Sequence, residues 1–184
     1  MSSMKPWSVL KSKRLLSHRL FDIQEVSAES PYTKKIHPFI YLDSQDWVNI
    51  VPITPDHQLI MIEQYRHGSQ SISLEIPGGM IDPGETAEQA ARRECIEESG
   101  YAVTELISLG NLSPNPAILN NRLHTYYGVD AHYVGTDHHS NTENTQLVKV
   151  DLDDVQGLMM SGKIDHALVC ATLWRLLALR HHLP

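Results

Sequence analysis

Thr86, Gln89 and Gly100 fix the position and length of one helix more tightly than any other signal in the chain. A threonine followed at the third position by glutamine is the signature of a capping box, in which each side chain satisfies a backbone N–H at the helix start. Pro83-Gly84 supplies a turn just before it, and Gly100 can take the left-handed conformation that ends a helix. The spacing therefore predicts a helix over Ala87–Ser99.

Helical periodicity places Glu94, Glu97 and Glu98 on one face of that segment, with Arg93 one turn before Glu97. Like charges so spaced cost roughly 0.2–0.5 kcal/mol per pair, and Glu98 sits near the negative end of the helix dipole. The cluster needs a compensating cation. Carboxylate oxygens suit hard ions, and Mg²⁺ or Mn²⁺ held by one or two of them is commonly completed by phosphates and waters. An acid-rich helix face in isolation reads as a solvated surface, so the flanking residues decide.

Gly79, Glu85, Arg93, Glu94, Cys95, Glu97, Glu98, Gly100 and Tyr101 fall on the spacing G-x5-E-x7-R-E-U-x-E-E-x-G-U, where U is bulky and apolar. On these residues the chain resembles the Nudix hydrolases at every fixed position of their box. Cys95 suits its apolar position because a free thiol packs as a small hydrophobe. Upstream, EQYRHGSQSISLEIPGGMIDPGE (Glu63 to Glu85) resembles the branch that cleaves ADP-ribose and other nucleoside diphosphate sugars. Downstream, Pro114 and Pro116 in LSPNPA fall near the place where that branch carries a proline.

The resemblance implies an α/β fold, the Nudix α/β/α sandwich with a mixed sheet. It also implies Mg²⁺ (or Mn²⁺) held by Glu94, Glu98 and the Gly78 carbonyl, with Glu97 either sharing the metals or holding a water. Arg93 is expected to orient the glutamates with Glu85 as a second partner; its other reading is an ordinary surface ion pair. The general base stays open between a glutamate of the box and a glutamate of a later loop, for which Glu143 is the candidate. In the same loop region Gln146 falls where relatives carry an acid.

Substrate contacts are expected at Arg66, Glu75, Trp47 and Arg122. The planar fork of Arg66 suits a phosphate, or it pairs with Glu75. Glu75 is a substrate- or metal-proximal acid by resemblance, or only that partner. Trp47 stacks on a nucleobase or packs in the core, and Asn120, Asn121 and Arg122 reach a sugar or phosphate. His138-His139 read as solvated loop residues and His181-His182 as residues suited to a helix C-terminus.

Short or alternating apolar runs at Trp7–Leu10, Leu20–Val26, Phe39–Leu42, Trp47–Ile53 and Leu59–Gln64 read as strands, with Thr54-Pro55-Asp56 as a hairpin turn between the last two. Leu106–Leu112, Leu123–His132 and Leu147–Leu152 read likewise. Asp153–Met160 reads as a helix, and Asp165 is placed to cap another running to about His181, with Val169, Leu173, Leu176 and Leu177 as its apolar face. A chain of 184 residues that is 41% hydrophobic is long enough for one well-buried domain. We assign residues 46–184 to the Nudix domain and residues 1–45 to a strand-rich extension. By resemblance, the extension forms a homodimer and part of the substrate pocket, which gives Trp7, Leu10 and Phe21 a home.

A formal charge of −7 leaves no basic footprint for long nucleic acid or an anionic membrane. No run approaches a membrane span, and the N-terminal residues lack the apolar core of a signal peptide, so a cytoplasmic location is expected. Cys95 and Cys170 have no metal-ligand spacing and read as buried thiols. The expected function is metal-dependent hydrolysis of the pyrophosphate bond of a nucleoside diphosphate sugar, of the ADP-ribose or GDP-mannose type, to a nucleoside monophosphate and a sugar phosphate. Two alternatives stand beside it. One is hydrolysis of nucleoside triphosphates or dinucleoside polyphosphates, which the QYR and PGG flanks disfavour. The other is a non-catalytic nucleotide-sugar sensor, which the intact box disfavours.

Overall fold

The computed structural model describes residues 4–135 and 144–179. Its contacts divide the chain into two units, one formed by residues up to Gln45 together with Ser113–Arg122, the other by the remainder.

In the first unit β1 (Ser8–Ser17), β2 (Asp22–Glu29) and β3 (Ile36–Asp43) form an antiparallel sheet in chain order. β1 runs well past the apolar stretch that marked it, because Lys11 to Ser17 continue the ladder opposite Ser27 to Asp22. The strand is exposed along its whole length, so pairing rather than burial sets its extent, and binary patterning has nothing to read. Ser113–Arg122 is tied to the same unit by a parallel bridge between Leu42 and Leu119. Asn120 Nδ2 donates to Asp43 Oδ1 at 2.6 Å, and Asn121 Nδ2 donates to the Gln45 carbonyl at 3.0 Å. Both asparagines, expected at a sugar or phosphate, thus hold two distant segments together.

The second unit contains β4 (Trp47–Pro52), β5 (Gln58–Arg66), β6 (Ser71–Glu75), β7 (Gly78–Met80), α1 (Ala87–Ser99), β8 (Tyr101–Ala102), β9 (Glu105–Leu112), β10 (Leu123–Val129), β11 (His132–Tyr133), β12 (Thr145–Asp151), α2 (Val155–Met160) and α3 (Ala167–Leu179). One sheet runs β7-β4-β10-β9, mixed because β4 and β10 are parallel; a second runs β12-β5-β6, and β11 pairs with β8. Strand alternation sends side chains to two cores. Val48, Ile50 and Ile60 pack with Ala90, Ala91 and Cys95 of α1. Val51, Leu59 and Met61 pack instead with Val155 of α2 and Val169, Leu173 and Leu176 of α3. Helices therefore cover both faces, the α/β character expected of a Nudix fold.

Three expectations change. The turn at Thr54 forms, with Thr54 N donating to the Gln58 carbonyl at 2.9 Å, but β4 and β5 meet only at an Ile53–Leu59 bridge and then join different sheets rather than a hairpin. The start of α3 is capped one residue later than Asp165: His166 Nδ1 accepts from Val169 N at 3.4 Å. Cys170 is only half-buried, whereas Cys95 is fully buried. Among the described residues no helix is long and apolar enough to cross a membrane.

Candidate active site

The capping box closes as the sequence specified, with Gln89 N donating to Thr86 Oγ1 at 3.2 Å and Thr86 N to Gln89 Oε1 at 2.8 Å. Gly100 ends the helix at φ 73°, its N–H donating to the Ile96 carbonyl. These ends hold in place a middle that is poorly suited to burial. Glu94 is only 9% exposed and Glu98 only 6%.

Glycine backbone makes room for Glu94 and supplies a donor to Glu98. Gly79 is opposite Val48 in the β4–β7 ladder, so its missing side chain faces α1, and a Cβ there would overlap the Glu94 carboxylate. Gly78 N donates to Glu98 Oε2 at 2.9 Å. A Cβ at Gly78 would press on the Val48 carbonyl and on Asn49.

Arg93 organises the acids. Its Nε and Nη2 grip both oxygens of Glu85 at 3.0 and 2.9 Å, and Nη1 reaches Glu94 Oε1 at 2.8 Å and Glu97 Oε2 at 3.0 Å. Nη2 also donates to the Met80 carbonyl at 3.1 Å, so every guanidinium N–H is engaged. The bidentate bond to Glu85 holds the guanidinium well above its ordinary pKa, and the same bond holds Glu85 below the usual carboxylate range. Burial pushes the Cys95 thiol up to about 12, so it stays protonated beside this cluster.

A second charged pair lies on the β5–β6 ladder. Arg66 Nε and Nη2 donate to the two oxygens of Glu75, each at 2.7 Å. Burial alone would raise the Glu75 carboxyl; Arg66 outweighs it and holds the group below its ordinary value. Both residues fall on the α1 side of the sheet, since Arg66 alternates with Ile60 and Glu75 is opposite Ile62.

Trp47 precedes Val48, so it belongs to the face turned away from α1. Arg122 falls in the first unit, where Nη1 donates to Ser113 Oγ. Gln146 is exposed and opposite Glu63, also on the far face. Glu143, His138, His139, His181 and His182 lie outside the described residues.

The donor set fits a divalent cation in part. One guanidinium binds the carboxylates of Glu85, Glu94 and Glu97, Glu98 is held by the Gly78 N–H, and all their oxygens are hard. Among the described residues no three His, Cys, Asp or Glu side chains converge to enclose a metal by themselves. That suits an ion completed by waters and substrate phosphates rather than a protein-only cage.

One buried group escaped the sequence reading. Gln64, 6% exposed, follows Ile60 and Ile62 on the α1 face of β5, and its Oε1 has no hydrogen-bond partner among the described residues. The signal was present, since a glutamine two residues beyond Ile62 continues a core-facing row.

The NUDIX domain model matches residues 44–166. ADP compounds hydrolase NudE of Escherichia coli (strain K12) is 33% identical over 130 residues, 70% of this chain and 69% of that protein. ADP-ribose pyrophosphatase of Bacillus subtilis (strain 168) is 23% identical over 165 residues, 89% of this chain and 88% of that one. A crystal structure of an ADP compounds hydrolase matches with a TM-score of 0.86 at 25% identity, covering 99% of this chain and 98% of the other. A box complete in sequence and folded as a capped helix against two glycines, in a chain that the NUDIX domain model matches over residues 44–166, places the chain in the NUDIX domain family of hydrolases.

Proposed function

We propose that the chain hydrolyses the pyrophosphate bond of ADP-linked sugars such as ADP-ribose, releasing AMP and a sugar phosphate. The observation that carries this reading is the burial of Glu94 and Glu98 against the Gly78-Gly79 backbone, with Arg93 bound to Glu94. Such an arrangement is costly unless a cation joins it. The relatives named for ADP compounds and ADP-ribose supply the substrate class, and GDP-mannose is its nearest chemical competitor.

Mg²⁺ or Mn²⁺ held at Glu94 and Glu98, with the Gly78 carbonyl and Glu97 as further donors, would stabilise charge building on the attacking and leaving oxygens of the P–O–P link. The chain's own groups set the geometry. Arg93 positions Glu94 and Glu97, while the Gly78 N–H fixes Glu98. A water oxygen bonds to one phosphorus as the bridging P–O bond breaks, and the departing phosphate carries away the electron pair. The water proton passes to a carboxylate, either Glu97 at the exposed edge of the cluster or Glu143. Arg66, steadied by Glu75, binds a substrate phosphate. Trp47 and Arg122 take no part in these steps.

We infer in addition that the β1–β3 sheet pairs two copies of the chain. Trp7 remains 42% exposed and Leu10 55%, although Trp7 packs edge-on against Phe39 at 5.3 Å. Val9, Leu16, Ile36 and Ile40 are exposed as well, an apolar load that single chains rarely leave to water. Sedimentation should give a dimer mass that falls to a monomer in Leu10→Glu/Ile40→Glu. A wild-type monomer would remove this inference alone.

A panel of ADP-ribose, GDP-mannose, UDP-glucose, ATP and diadenosine polyphosphates with Mg²⁺ tests the activity. Monophosphate release from the sugar-linked substrates, ADP-ribose first, is the expected result. Cleavage of ATP or the dinucleotides alone would overturn it.

A further inference from the structure

Gln64 presents an oxygen acceptor with no donor in a place where donors were available to be used. Its neighbours across the sheet are Ser73 on β6 and Thr145 on β12. A hydroxyl has one proton to give. Thr145 Oγ1 gives its proton to the Glu98 carbonyl at 2.7 Å, and Ser73 contributes to holding the Glu75 carboxyl below its ordinary value. The Thr145 hydroxyl is therefore committed, and neither it nor Ser73 reaches Gln64 Oε1, which has no donor among the described residues. Burying a carboxamide oxygen without a partner costs free energy that an apolar side chain of the same size would avoid.

The position is specific. Gln64 lies on the α1 face of β5, and the Thr145 bond places its immediate neighbour under the last turn of α1, at the residue whose carboxylate receives the Gly78 N–H. Glu98, Glu75 and Gln64 are all acceptors, and phosphate oxygens are acceptors too. Among the described residues no O–H donor reaches Gln64 Oε1. A divalent cation brings such donors with it, because the waters it polarises donate strongly.

We propose that Gln64 is a positioning residue of the hydrolytic site, whose Oε1 accepts a hydrogen bond from a water in the hydration shell of the cation held at Glu94 and Glu98. This rests on the metal assignment above and extends it to a group outside the box. A sugar hydroxyl of the substrate is the other source of an O–H donor, and the test separates the two.

Mn²⁺ affinity is measured by calorimetry without nucleotide, and thermal unfolding is followed in EDTA, for wild type, Gln64→Met and Gln64→Glu. The methionine variant removes the orphaned acceptor at nearly constant volume, so it should melt at or above the wild-type temperature in EDTA. It should bind Mn²⁺ roughly tenfold more weakly, the loss seen when an outer-shell partner of a metal site is removed. Gln64→Glu keeps an acceptor and should hold the wild-type affinity or exceed it. Mn²⁺ affinity equal to wild type in Gln64→Met, or loss of the fold in that variant, overturns the proposal. So does weakened ADP-ribose binding in EDTA with Mn²⁺ affinity intact, which would assign the donor to the sugar. Failure of wild type to bind Mn²⁺, or binding by Glu98→Gln at wild-type affinity, would instead remove the metal site itself.

Discussion

α1 and α3 have the same length, 13 residues each, and pack on opposite faces of the sheets, yet they are helices for different reasons. α3 is held by its face: Val169, Leu173 and Leu176 are buried, and the one polar group among them, Thr172, donates to the Leu168 carbonyl at 2.8 Å and accepts from Asn49. α1 buries Ala90, Ala91 and Cys95, but also Glu94 and Glu98. Its middle carries two buried carboxylates, and its ends are fixed by a capping box and a left-handed glycine. On the proposed function, this helix is stabilised at its ends and does its chemistry in its middle.

The contrast breaks most visibly at Glu98. Glu98→Gln keeps an acceptor for the Gly78 N–H and removes a charge, so kcat should fall by about 10²-fold or more, the scale of losing one preorganised electrostatic group. Unfolding in EDTA should show stability unchanged or raised. A stability loss with activity retained would make α1 an ordinary structural helix. Leu173→Ala on α3 should do the reverse, costing about 2–5 kcal/mol by urea unfolding, with kcat of the folded fraction preserved. A kcat collapse there would couple the two faces.

The Arg66–Glu75 pair gives a smaller and pH-dependent effect. Glu75 is held below its ordinary 4.5, so the pair's contribution is complete above that value and is lost as pH falls through the folded-state pKa. Arg66→Met should cost about 2 kcal/mol at neutral pH, reduced from the value of a fully buried pair because Arg66 is partly solvated. That gap should close on acidification in metal-free buffer, and a constant gap would contradict the assignment. Thr86→Ala, the mildest change, should cost about 1 kcal/mol through the lost cap. Added Mn²⁺ should recover part of it, since the ion binds only folded chain.

The origin of these differences also explains what the sequence revealed. α1 was legible to the residue because caps and spacing are local signals, and the acids came with it. α3 was legible as an apolar row, but its start shifted to His166 because the cap depends on which side chain meets Val169 N. β6 and β7 leave little trace in the sequence, since Ser71–Glu75 and Gly78–Met80 carry little apolar pattern and exist through their ladders with β5 and β4. The placement of Trp47 away from α1 and the engagement of Asn120 and Asn121 with Asp43 and Gln45 follow from strand parity and from pairing across more than 70 residues of chain. Neither leaves a mark on local composition. Gln64 was legible by parity, and its missing donor only from the structure.

Phosphorus NMR of ADP-ribose incubated with the protein during an Mg²⁺ titration tests the central claim most directly. The diphosphate resonances should give way to two monophosphate resonances only as cation is added. They should persist in EDTA and with Glu94→Gln or Glu98→Gln. The same monophosphate signals appearing in EDTA, or at the wild-type rate in either variant, would contradict a cation gripped by the buried carboxylates of α1.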